Sequence, residues 1–168
     1  MKISMYQASV PMFIRMLNNL AAVLDKGAAH AEAKKIDPSV LISARLYPDM
    51  LPLARQIQIA GDTAKGAAAR LAGLEAPKYE DTEASFSDLK GRIQKTIAYL
   101  NTFKPEQIDG SEERSVTLQQ RGQPVTFQGM PYLLNQAVPN FYFHVTTAYD
   151  ILRHGGVEIG KADFLGTR

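Results

Sequence analysis

Apolar side chains recur at helical spacing over most of the chain. Tyr6, Val10, Phe13, Leu17, Leu20 and Leu24 alternate by threes and fours. They form one stripe of a long first helix, widened by Met5, Met12, Met16 and Val23. Pro11 implies a kink or a start just before it. Asp37-Pro38-Ser39 marks a loop or a fresh start. A second helix is predicted from near Pro48-Asp49, with Met50, Leu53, Ile57, Ala60, Ala64, Ala68 and Leu71 on its buried face. The many alanines let a neighbour come close, and Gly73 falls where a glycine closes a helix. The third helix carries Phe86, Leu89, Ile93, Ile97 and Leu100 inside and Asp88, Lys90, Arg92 and Lys95 outside. Asp81 or Thr82 is its predicted cap, and Lys104-Pro105 its end.

The period then changes from helical to alternating. Residues 114–120 and 123–127 flank Arg121-Gly122, which predicts a β-hairpin inserted between helices. Pro124 suits an edge strand. A lone hairpin is marginal, so Val116, Leu118, Val125 or Phe127 should pack on the helices. Helical spacing resumes from Met130-Pro131 to His154, with Leu134, Val138, Phe141, Val145, Ala148 and Leu152 inward and Gly155-Gly156 as a stop. The tail from Val157 to Arg168 reads as irregular, anchored by Phe164-Leu165. The expectation is an all-α, four-helix bundle in one domain, residues 1–168, with a small hairpin between helices 3 and 4.

Composition narrows the function classes. The chain has 168 residues and a formal charge of +2, too mild for a nucleic-acid surface, and no Lys/Arg cluster is present. There is no cysteine, which removes disulfides, thiolate metal sites and a cysteine nucleophile. No apolar run reaches the ~20 residues of a membrane span. The first residues lack the apolar core of a signal peptide, so a cytoplasmic location is expected.

Candidate chemistry centres on His144, which shares a stripe with Ala137, Phe141, Ala148 and Ile151. It reads either as a satisfied core histidine or as a metal ligand or general base in a pocket. A helical metal pair would place a second ligand at 148, where Ala148 stands. His30 and His154 show no ligand spacing with it, and no HExxH, GxSxG or phosphate-loop motif occurs. Gln56, Gln58 and Asp62 flank the alanine-rich face of the second helix, with Arg45, Tyr47 and Asp49 at its entry. Tyr142, Tyr149 and Asp150 add hydroxyl and carboxylate groups from the last helix. The candidate ligand-binding set is His144, Gln58, Asp62, Tyr142 and Arg45, with His144 the one candidate metal ligand.

Two blocks carry a family resemblance. Ala44-Arg45-Leu46-Tyr47-Pro48-Asp49-Met50-Leu51-Pro52-Leu53 leads to Gln56, Gln58 and Ala69-Arg70-Leu71-Ala72-Gly73. The run Phe141 to Lys161, closing on Asp163-Phe164-Leu165-Gly166, is the second. Together they resemble an uncharacterised bacterial family grouped with the DinB/YfiT-like proteins. The resemblance implies a four-helix bundle, a homodimer, and in many superfamily members a divalent metal on three histidines, one from the second helix and two spaced HxxxH on the last. His144 matches the first of that pair, Ala148 takes the second place, and Gln56 or Gln58 is the nearest polar residue on the second helix. The implied protein has lost the metal and keeps a small-ligand pocket near His144, a dimerisation role, or both. The alternative is an enzyme, a metal-dependent transferase or hydrolase in which Asp49 or Asp62 completes a site with His144, or a metal-free acid/base site using Tyr142, Gln58 or Asp62.

Overall fold

In the computed structural model, which describes residues 3–166, helices α1 (Val10–Lys34), α3 (Leu53–Leu71), α4 (Phe86–Leu100) and α7 (Val138–His154) form an all-α four-helix bundle. Helix α3 packs between α4 and α7, and α1 closes the bundle against α4 and α7. Phe13 and Phe141 meet edge to face at 4.8 Å in the centre. Met1, Lys2, Thr167 and Arg168, the ends of the sequence reading, lie outside the described residues.

Pro11 sits in the first turn of α1, where no N–H is required, so the helix starts there without a kink. Met5 and Met16 are buried and Met12 packs at the core's edge, so the methionine stripe serves the core. Asp37 accepts a hydrogen bond from Ser39 N–H at 2.9 Å and opens a short helix, α2 (Pro38–Ile42). Helix α3 starts at Leu53, later than the predicted Pro48-Asp49. Pro52 is extended (ψ 166°), and the loop before it is closed by Leu53 N–H on the Ala44 carbonyl at 2.9 Å. Met50 therefore lies in the loop and not on a helix face. Gly61 permits close approach of α4, since a Cβ there would lie 3.2 Å from Thr96 Oγ1. Gly73, at φ +73°, ends α3 as predicted.

Helix α4 is capped by Ser85, not by Asp81 or Thr82. Ser85 Oγ accepts from Asp88 N–H at 3.1 Å and the Asp88 carboxylate accepts from Ser85 N–H at 3.0 Å, a reciprocal box. The predicted inner stripe of α4 is buried throughout, but Arg92, predicted outside, is only 4% exposed. A short α5 (Pro105–Ile108) leads into strands β1 (Ser115–Gln120) and β2 (Gln123–Gln128). Arg121 and Gly122 both adopt positive φ, the requirement of a tight two-residue hairpin turn. Val116 is buried, and Leu118 and Phe127 pack partly against the core.

The last helix is interrupted. A turn α6 (Gly129–Tyr132) passes through a π-helical segment, Leu133–Ala137, into α7. Pro139 has no N–H to give to the carbonyl four residues back, so the chain widens by one residue there. This shifts the register: Leu133 is buried, and Leu134, predicted inward, is 51% exposed. The tail, predicted irregular, forms α8 (Lys161–Leu165). It docks on α1 through Lys26–Asp163 at 2.6 Å and Asn19 Nδ2 on the Phe164 carbonyl at 3.0 Å, and Phe164 stacks edge-on against Tyr149.

Candidate functional site

His144 faces α3 and is 8% exposed. Its Nδ1 lies 2.7 Å from Gln56 Oε1, while Gln56 Nε2 donates to the Leu51 carbonyl at 2.9 Å. The second bond fixes the Gln56 amide, so its oxygen must face the ring and Nδ1 must carry the proton. Burial lowers the His144 pKa, which keeps the imidazole neutral at pH 7. Helix α7 thus presents a neutral Nδ1–H tautomer held by a buried amide. The adjacent Phe143 ring lies edge-on to it at 5.2 Å.

These residues do not fit a three-histidine metal. Ala148, one turn on, is fully buried and offers no donor. Helix α3 supplies an amide to the imidazole where an imidazole would be needed. Among the described residues no three His, Cys, Asp or Glu side chains gather closely enough to hold an ion. One imidazole with a neutral amide is a weak set for a divalent transition metal.

The other predicted site residues go elsewhere. Arg45 bonds the Met50 carbonyl and shapes the loop before α3. Tyr142 is half-buried and lies edge-on to Phe141 at 5.7 Å; burial raises its pKa and the charge of Arg15 opposes that. Gln58 and Asp62 enter an ion network between α3, α4 and the strap of residues 74–84. Arg92 donates to Glu83 and Asp62 at 2.9 Å each and lies 3.0 Å from Asp81. Gln58 Nε2 donates to Glu83 at 2.8 Å, Arg55 pairs with Asp81, and Lys65 pairs with Asp62 at 2.5 Å. Burial pushes the Glu83 carboxyl up, but the bonds from Arg92 and Gln58 outweigh it and hold its pKa low. Tyr79 stacks in the strap between Lys65 and Lys95, whose Nζ atoms lie 3.9 and 4.2 Å from its ring centre. Arg55, Lys65 and Arg92 balance Asp62, Asp81 and Glu83, and the paired charges tie the strap to the bundle. His144 and Gln56 are therefore one locus, and Gln58 with Asp62 another.

A third place has the shape of a binding site. Strand β1, α3 and the π segment border an open cleft of about 710 Å³, lined by Asp62, Thr63 and Arg70 of α3, Thr117 to Gln120 of β1, and Tyr132, Gln136, Ala137 and Asn140. That volume is within the range of small-molecule sites. Its walls are held by Asn140 Nδ2 on Thr63 Oγ1 at 2.9 Å and Arg70 Nη1 on Tyr132 Oη at 3.1 Å. Of the predicted site residues, Asp62 alone lines it. Asn140 carried no motif and Arg70 stood only in the family block; Arg70 meets Tyr132, and Asn140 meets Thr63, across elements far apart in the chain. The π segment turns Gln136 and Ala137 onto the cleft wall, where such bulges often serve function.

The comparisons with known proteins agree with this architecture. The profile of a domain of unknown function (DUF1993) matches residues 5–165. The crystal structure of a DinB family member protein from Shewanella denitrificans is 43% identical, over 97% of this chain and 92% of that one, with a TM-score of 0.89. No curated protein matches the sequence. No helix among the described residues is long and apolar enough to cross a membrane.

Proposed function

This chain belongs to the DUF1993 family, with a DinB-like fold, and we propose that it works as a single-domain, metal-independent binding protein for a small polar molecule seated in the hairpin cleft. The observation that carries this reading is the cleft itself, whose polar side chains come from α3, β1, the π segment and α7. The bond between His144 and Gln56 supports it from the other side. That imidazole is engaged in joining α7 to α3, and the ligand pocket is better placed at the hairpin than around His144.

A ligand-observed NMR screen of small metabolites tests this on the wild type, on Thr63→Trp, which fills the cleft, and on His144→Ala. The expected result is binding that Thr63→Trp abolishes and His144→Ala leaves within about twofold. Binding that survives Thr63→Trp and disappears in His144→Ala would move the site back to the imidazole and sink the cleft reading.

A further inference from the structure

We infer that the cleft takes an oxyanion, a carboxylate or phosphate on a small hydroxylated body, with Arg70 and Tyr132 as the anion subsite. The inference rests on the cleft being the binding site. Arg70 is the cation of the cleft that has no carboxylate partner among the described residues, because Asp62, the acid on the same wall, is held by Lys65 and Arg92. A guanidinium left free in a concave, polar wall has the geometry for two parallel bonds to an oxyanion.

Gly66 and Tyr132 set its position. A Cβ at residue 66 would lie 2.5 Å from Arg70 Nη1, so the absence of a side chain lets the guanidinium lie along its own helix. Tyr132 is 2% exposed, and its oxygen accepts from Arg70. Burial raises its pKa, with Arg70 opposing, so the phenol keeps its proton. That proton is donated to no protein group among the described residues, which leaves a buried donor beside the free cation. A buried donor without an acceptor is costly, and an anion at this point satisfies it.

The rest of the cleft describes the body of the ligand. Gln136 and Asn140 are neutral amides able to donate and accept, as hydroxyl groups require. Asp62 lies eight residues from Arg70 on α3, a rise of about 12 Å. Asp62 is neutralised there by Lys65 and Arg92, so the uncompensated charge of the wall is the Arg70 guanidinium, and the ligand's charge belongs at that end.

Titration of the full-length ¹⁵N-labelled protein with sodium D-gluconate, inorganic phosphate and D-sorbitol tests this. Sorbitol has the carbon chain of gluconate without the carboxylate. Gluconate or phosphate should shift the Gln136 and Asn140 side-chain amides and bind at least tenfold more tightly than sorbitol, and the tighter of the two anions names the group. Arg70→Gln should weaken the anion at least tenfold. Gly66→Ala, which keeps the charge and displaces it, should weaken the anion at least threefold and serves if Arg70→Gln does not fold. Sorbitol binding as tightly as gluconate at the same amides, indifferent to Arg70→Gln, overturns the anion assignment and leaves the cleft reading standing. No shift at any cleft amide from any of the three overturns both.

Discussion

Replacing Arg92 by methionine should destabilise the protein by about 3 kcal/mol. The side chain is buried, and its guanidinium reaches Glu83, Asp62, Asp81 and the Glu80 carbonyl. Removing one partner of a buried ion pair costs about 3–5 kcal/mol, because the other charge is left behind. Here the upper end is discounted. Asp62 and Asp81 are 43% and 38% exposed and can be solvated when the arginine goes. Glu83, at 11%, is solvated least and keeps only the Gln58 bond, so most of the loss is its unpaired charge. Methionine matches much of the arginine stem and limits the cavity. Urea unfolding of the wild type, Arg92→Met, Glu83→Gln and the double variant gives the coupling directly. The double variant should be less than additive by at least about 1 kcal/mol. The pH dependence adds a second check. Glu83 has a depressed pKa in the folded state, so its stabilisation is present above the unfolded carboxylate value and lost as pH falls through the folded one. Wild-type stability should therefore fall more steeply than that of Arg92→Met as pH drops below about 4. A loss under about 0.5 kcal/mol, the range of an ordinary surface substitution, would refute the reasoning.

Two further outcomes follow from the same geometry. His144 has a lowered pKa from burial, so the unfolded chain binds the proton more readily; its contribution is intact above the unfolded value of about 6.5 and declines as pH falls below it. Urea unfolding at pH 7.5 and 5.5 should show that decline in the wild type and a flatter response in His144→Gln; equal slopes would contradict a neutral buried imidazole. The π segment predicts that Leu133→Ala costs about 2–4 kcal/mol while Leu134→Ala costs under about 0.5. Thermal unfolding would decide it, and the reverse order would restore an uninterrupted helix.

Much of the bundle was legible because its physics is local and periodic. The stripes on α1 and α4, the glycine closing α3 and the Arg121-Gly122 hairpin turn each follow from a spacing or a backbone requirement written in a few neighbouring residues. The departures have non-local or competing causes. Leu134 was misplaced because one proline widened a turn and shifted the register behind it. Arg92 looked like a solvated residue on α4 because its partners, Asp81 and Glu83, sit on a strap whose return path no periodicity describes; the acidic run from Glu80 to Glu83 was the available signal. The start of α3 was misread because Pro48-Asp49 and Pro52 both resemble a first turn, and the Ala44–Leu53 bond that selects the later one spans a loop. For the site, His144 was correctly placed facing inward on α7, and its partner is Gln56 in preference to Gln58. Arg70 meets Tyr132 and Asn140 meets Thr63 through the packing of α3 on α6 and α7, which no local spacing records.

We propose that this DinB-like bundle works without the three-histidine metal, because Gln56 occupies His144 and Ala148 offers no second donor. Elemental analysis of untagged protein, wild type beside His144→Ala, tests it most directly. Far less than one divalent ion per chain is expected in both. Close to one ion per wild-type chain, lost on the substitution, would contradict it.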